Sequence, residues 1–323
     1  MSCFDEEIKR ISDKILSCRR EGDLCFAMLS DSHLSEEREV TCENIRAVDK
    51  LAGFDFVVHL GNIINGDNPR KISEYVLKRE IDSFRAATRS GLVFASCGDT
   101  DGWRDERFSG QIATGIINDD FWYGATGYID GIAPVCRPEK KPYYYVDYDN
   151  VRIIVLCSYL SQLDEDAEVF EKAIMIDAQQ QAWLKKTALA DCDGKHIIVF
   201  SHRIPKSRFE SGFDSYVYEG RHTEAVSAIF QRAQLCGANL VCRIGGGYGY
   251  DFEFCHGGQN IAVIGSQIAR EGKDSKCGGV RFLTDRKPKT PRCDLWDAAV
   301  VRTDERKLML FRFGCGEDRV ISY

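Results

Sequence analysis

Apolar residues along this chain alternate between two periods. Over residues 4–20, Phe4, Ile8, Ile11, Ile15 and Leu16 recur at helical spacing with charges between them. Gly22 follows where such a helix would stop, so residues 1–22 are predicted as an N-terminal amphipathic helix. LCFAMLS (24–30) is instead a nearly unbroken apolar run, as expected of a strand covered on both faces, and a helical pattern follows over 36–51. The unit repeats. FDFVVHLG (54–61) precedes a helical stretch near 71–90, and GLVFASCG (91–98) precedes a Gly- and Asp-rich segment reaching to about residue 140.

The second half keeps the alternation. YYYVDYDNVRIIVLCS (143–158) reads as two strands turning at Asp149-Asn150, DAQQQAWLKKTALA (177–190) as a helix, and KHIIVFSH (195–202) as another buried strand. A helix around 222–236 leads into the strand ANLVCRIGG (238–246), and YDFEFC, NIAVIG and KLMLFRFG are further strand candidates. Alternating strands and helices with added hairpins imply an α/β sandwich. The 323 residues show no repeat and no Pro- or Ser-rich linker, so a single domain over 1–323 is expected.

Composition narrows the function. With 43 Lys and Arg against 50 Asp and Glu, the net charge of −7 has the wrong sign for gripping a phosphate backbone, and nucleic acid is not an expected partner. No apolar run reaches membrane-spanning length, and the charged N-terminus lacks a signal-peptide core, so no membrane partner is expected. The 14 cysteines form no C-x-x-C pair. Cys25, Cys97, Cys157 and Cys242 lie in or beside apolar runs as buried thiols do, so the expectation is a reducing, cytoplasmic compartment.

Chemistry-bearing residues cluster just after the apolar strands: Asp31, Ser32 and His33; Gly61 and Asn62; Gly98, Asp99, Thr100 and Asp101; Ser201, His202 and Arg203. Ligand sites of open α/β sheets gather beyond the C-terminal strand ends, which aims these side chains at one crevice. Carboxylate and imidazole donors together suit a first-row transition metal.

The ordered stations DSH (31–33), GN (61–62), GDTD (98–101), His202 and GGGY (245–248) resemble the calcineurin-like metallophosphoesterase family, whose pattern runs D-x-H, G-D, G-N-H-[DE], a lone His and G-H-x-H. The resemblance covers most of the chain and implies a four-layer α/β/β/α sandwich with mixed sheets, closed by strands within 295–323. It also implies a dinuclear metal centre whose bridging hydroxide attacks phosphorus.

The stations depart from that pattern. Asp31, His33 and His202 match ligand positions, while Asn62 and Asp99 have exchanged the family's Asp and Asn. Thr100 stands where the family has its catalytic His, and a hydroxyl cannot replace imidazole as a proton donor near neutral pH. Gly246 and Tyr248 replace both His of the last station. The resemblance therefore implies an eroded centre with weak or no phosphatase activity. Asp31, His33, Asn62, Asp99 and His202 remain as candidate ligands for at most one divalent ion (Mn, Zn or Fe).

Two alternatives stand beside this reading: an active phosphoesterase with a rebuilt or mononuclear site, and a non-catalytic scaffold or ligand-binding pseudophosphatase. Residues 101–107 read as a charged, salt-bridged loop, with Arg104 and Arg107 as candidate contacts to a small phosphorylated ligand. GGGYGY (245–250) reads as a turn in which the Tyr248 hydroxyl bonds to Asp31 or His33 in place of a cation, and His59 as a core residue or one behind the site.

Overall fold

The computed structural model describes residues 3–35, 37–104, 115–162, 171–174, 176–204, 223–247, 249, 251–265, 286 and 289–323. In chain order these form α1 (Cys3–Cys18), β1 (Leu24–Leu29), α2 (Glu37–Ala52), β2 (Phe56–His59), α3 (Arg70–Arg85), β3 (Val93–Ala95), α4 (Asp119–Thr126), β4 (Val135–Cys136), β5 (Tyr144–Tyr148), β6 (Val151–Val155), β7 (Tyr159–Gln162) and β8 (Glu171–Ile174). There follow α5 (Ala178–Trp183), β9 (His196–Ser201), α6 (Thr223–Leu235), β10 (Asn239–Gly245), β11 (Phe252–His256), β12 (Gln259–Val263), β13 (Leu295–Arg302), β14 (Lys307–Gly314) and β15 (Arg319–Ser322).

One sheet runs β15-β14-β13-β1-β2-β3 and the other β11-β12-β10-β9-β6-β5-β4, with β7 and β8 a separate pair. Both sheets are mixed. β1, β2 and β3 are parallel with β13 antiparallel to β1, and β6, β9, β10 and β12 are parallel while β5 and β11 run against their neighbours.

The sheets face each other across an apolar core that includes Phe26, Phe56, Phe94, Tyr144 and Phe200. Phe26 stacks on Phe56 with ring centroids 4.8 Å apart and meets Phe200 of the opposite sheet edge-on at 5.7 Å. Each such buried ring stabilises the fold by roughly 1.5–3 kcal/mol. Ile11 and Ile15 of α1, Ile45 of α2 and Leu77 of α3 cover one outer face, and Val226 and Phe230 of α6 help cover the other. The result is the expected α/β/β/α sandwich. All six residues of β1 are buried because both of its faces are covered, which is why it reads as a continuous apolar run.

Two local features differ from the sequence expectation. The Gly- and Asp-rich segment holds α4, whose start is set by Asn118 Oδ1 accepting from the Phe121 amide at 2.9 Å. The helix expected over 177–190 ends at Trp183 and continues as one wider turn over Leu184–Ala188. The closing segment, where strands are expected, supplies three, and β13 inserts beside β1.

At the centre of these closing strands Arg312 is buried between Asp297 and Asp251, with paired contacts of 2.9 and 2.9 Å to the first and 2.7 and 2.9 Å to the second. Arg319 also donates to Asp297 at 2.8 Å, so the cluster is two guanidiniums on two carboxylates. No helix among the described residues is long and apolar enough to cross a membrane.

Candidate functional site

The parallel strands deliver their C-terminal ends to one edge of the sandwich. β1, β2 and β3 lead into Asp31 and His33, Asn62, and Asp99; β9 and β10 lead into His202 and Gly246 from the other sheet. The first two turns are tight: Asp31, His33, Leu34 and Asn62 hold φ of +58°, +43°, +60° and +57°. Such left-handed backbone is uncommon outside glycine.

Asp101 organises these turns. Its fully buried carboxylate accepts the amides of Asn62 (2.8 Å), Ile63 (2.5 Å), Ile64 (3.0 Å) and Gly98 (2.9 Å). Burial raises its pKa, and the amide hydrogen bonds act against that rise. The expectation of a solvated charged loop is therefore corrected at Asp101, which is a buried clamp between two loops. In the sequence it closes the GDTD station, but nothing there shows that it is buried while Arg104 is exposed.

The candidate ligands come together as two hydrogen-bonded groups. In the first, Asn62 Nδ2 donates to Asp31 Oδ1 at 2.9 Å, and Asp31 Oδ2 accepts from Ser30 Oγ at 2.6 Å and the Gly247 amide at 3.0 Å. His33 Nε2 lies 3.7 Å from Asp31 Oδ1, and its Nδ1 donates to Asn65 Oδ1 at 3.3 Å. Burial pushes the Asp31 pKa up, but His33, His202 and the Ser30 hydroxyl outweigh it and hold the carboxyl well below the usual carboxylate range.

The orientation of the Asn62 amide is set by its neighbour. The Thr100 backbone N–H, which can only donate, meets Asn62 Oδ1 at 3.1 Å, and the Thr100 hydroxyl lies 3.0 Å from the same oxygen. Nδ2 must then face Asp31. The Thr100 hydroxyl also reaches the Ile64 carbonyl at 2.6 Å, so it is engaged within the loops.

In the second group His202 Nδ1 lies 2.7 Å from the Leu60 carbonyl, which only accepts, so Nδ1 carries the hydrogen. Nε2 is thereby turned to Asp99 Oδ1 at 3.2 Å. Asp99 is partly exposed. Burial raises its pKa, while His202, the Arg203 charge and Asn62 outweigh that and hold it below the usual range.

His59 lies in the core, as expected. Its Nδ1 accepts the Gly61 amide at 3.2 Å and its Nε2 donates to Ser32 Oγ at 3.0 Å, and burial pushes its pKa down to about 3, so it is neutral. Arg104 is exposed and its amide donates to the Asn68 carbonyl at 2.8 Å. Arg107 and Tyr248 lie outside the described residues. Among the described residues, Asp31 is hydrogen-bonded by Ser30, Asn62 and Gly247. Ser30 carries no signal in the sequence, because its partner Gly247 lies 217 positions away. Cys97, Cys157 and Cys242 are buried thiols, as expected, and every cysteine among the described residues is free.

A dinuclear metal pair needs a bridging group with anionic oxygens facing both ions. The bridging position here presents amide hydrogens to Asp31, and its oxygen is engaged by Thr100. Among the described residues no group of three or more His, Cys, Asp or Glu side chains is arranged to hold a metal ion. Among the described residues the donor set does not fit a dinuclear centre.

No family model and no curated protein matches this chain. Solved structures do. A dimetal phosphatase from Danio rerio aligns over 93% of this chain and 99% of its own, at 14% identity and a TM-score of 0.58. GAP50, described as the anchor in the inner membrane complex of Plasmodium, aligns over 93% of this chain and 89% of its own, at 12% identity and a TM-score of 0.50. At such identities the likeness is one of architecture, and the chain has the calcineurin-like metallophosphoesterase fold.

Proposed function

We propose that this protein uses the metallophosphoesterase fold without a dinuclear metal pair, has weak or no phosphoesterase activity, and binds a small phosphorylated ligand without efficient turnover. One observation carries the reading: Asn62 Nδ2 donates to Asp31 Oδ1 at 2.9 Å with its orientation fixed by Thr100. A cation bridging these two residues would meet amide hydrogens. The engaged Thr100 hydroxyl adds support, since it offers no proton donor with a pKa near neutral for a leaving group. The cationic Arg203 beside Asp99 brings permanent positive charge to this edge, which suits a phosphoryl group.

The test is metal content by elemental analysis of protein purified without chelator or metal-affinity resin, together with hydrolysis of bis(p-nitrophenyl) phosphate with and without Mn²⁺ or Zn²⁺. Substoichiometric metal and turnover no greater than that of Asp31→Ala are expected. One or two ions per chain, lost together with turnover in Asp31→Ala, would overturn the reading.

A second reading, a mononuclear metal-dependent phosphoesterase, draws on His202. Its Nδ1–H is held by a backbone carbonyl, as in most metal-bound imidazoles, and Nε2 is turned outward to Asp99. A non-catalytic scaffold is the third reading, and the description of the Plasmodium neighbour as an anchor is consistent with it.

A further inference from the structure

We infer that Ser30 and Gly246 form a steric lock that holds this centre in its hydrogen-bonded, metal-free form. The inference rests on the metal-free reading above and identifies what maintains it.

The first part of the lock is chemical. Ser30 is fully buried, donates its hydroxyl hydrogen to Asp31 Oδ2 at 2.6 Å and accepts the Gly247 amide at 3.2 Å. That same amide reaches Asp31 Oδ2 at 3.0 Å, so Ser30 Oγ, Asp31 Oδ2 and Gly247 N close a triangle. The hydroxyl's one hydrogen is committed to Asp31.

The second part is spatial. A Cβ built on Gly246 would overlap Ser30 Oγ and stand 2.6 Å from Ser30 Cβ and 3.0 Å from Leu60 Cβ. The backbone is not free to retreat, because the Gly246 amide donates to the His202 carbonyl at 2.9 Å. At Gly247, with φ +72°, a Cβ would fall 2.5 Å from His202 Cε1 and Nε2. The turn therefore lays bare backbone against His202 on one side and Ser30 on the other. Position 246 can carry no side chain while Ser30 is present, so a ligand there is excluded by a residue 216 positions earlier in the chain. Reinstating histidine at 246 alone cannot rebuild a ligand.

The experiment compares wild type, Gly246→Ala, Ser30→Gly and the double variant by urea denaturation followed by tryptophan fluorescence, with far-UV circular dichroism to confirm folding. Gly246→Ala is expected to lower the midpoint most, and adding Ser30→Gly to recover at least half of that loss, because two of the three clashing atoms are gone. Strictly additive losses would overturn the lock, as would a double variant that folds no better than Gly246→Ala alone. A second readout is zinc uptake by equilibrium dialysis. Asn62→Asp with Gly246→His is expected to stay at the wild-type level, and adding Ser30→Gly to raise bound zinc several-fold; equal uptake with and without Ser30 overturns the lock. Stoichiometric zinc on wild type would instead refute the metal-free reading, while the coupling of positions 30 and 246 is read separately from the denaturation series.

Discussion

Asn62→Asp exchanges one amide group for a carboxylate and tests the centre directly. The Thr100 contact survives, because the retained oxygen still accepts from its backbone N–H. The change falls on the 2.9 Å contact to Asp31, where a donor becomes a second anion. Losing a hydrogen bond to a charged group costs about 1.5–3 kcal/mol. Two like charges about 4 Å apart at an effective dielectric of about 20 repel by roughly 4 kcal/mol. The folded protein can avoid the repulsion by keeping a proton on the pair, which near pH 7 costs about 1.4 kcal/mol for each of the roughly three units above the ordinary Asp value, or about 4 kcal/mol.

Holding the proton is the less costly route, and it predicts a loss of about 4 kcal/mol near neutral pH. The pH dependence follows from the same proton. One carboxyl of the pair has a folded pKa above its unfolded value, so the folded state holds the extra proton. The variant then loses stability relative to wild type as pH rises from about 4 towards that raised value, at up to about 1.4 kcal/mol per unit. Urea titrations in EDTA at several pH values between about 5 and 8, followed by tryptophan fluorescence, measure it. A variant as stable as wild type near pH 8, or a deficit that does not change with pH, would refute the hydrogen-bonded centre.

Asp31→Asn should flatten the acid limb of stability. The depressed pKa of Asp31 makes its contribution present above the ordinary carboxylate value near 4 and lost as pH falls towards its folded value, so melting curves from about pH 2 to 7 should converge with wild type only at the acid end. Arg312→Met should cost about 3–5 kcal/mol in urea denaturation, because it leaves Asp251 and Asp297 buried with Arg319 as their remaining cation in the cluster. A loss below about 1 kcal/mol would mean the cluster is hydrated in solution.

Much of this fold is legible in the sequence because burial on both faces leaves a plain trace. β1 reads as an unbroken apolar run, and the turn between β5 and β6 falls at Asp149, whose φ is +48°. The stations of the site are legible because each directly follows such a strand. What is not legible depends on distant neighbours. Asp101 is legible as the end of the GDTD station and the start of a charged loop, but only tertiary structure brings four amides to its carboxylate. Asn62 suggests a weakened ligand, but the direction of its amide is set by Thr100, 38 positions later. Ser30 carries no signal, because its role depends on the absence of a side chain at Gly246. α4 is hidden because its eight residues lie in a segment dominated by turn formers.

The strained turns raise a last question, which Asp101 answers. Four non-glycine residues sit at positive φ beside the centre, at a cost of about 1–2 kcal/mol each. A bound cation drawing Asp31, His33 and Asn62 together could offset that cost. Here the offset is backbone hydrogen bonding: the His33 amide donates to the Asn62 carbonyl at 3.1 Å, the Asp31 amide to the Gly61 carbonyl at 3.0 Å, and four further amides to Asp101. The loops should therefore keep their shape in chelator. Asp101→Asn should release them, since an amide oxygen cannot satisfy four donors and its nitrogen opposes them, at a cost of about 2–4 kcal/mol. Hydrogen exchange at Asn62, Ile63 and Ile64 is expected to stay slow in wild type with EDTA and to accelerate in Asp101→Asn beyond the rise at unrelated core amides. Fast exchange in wild type on adding EDTA would mean that an ion, and not Asp101, holds the loops.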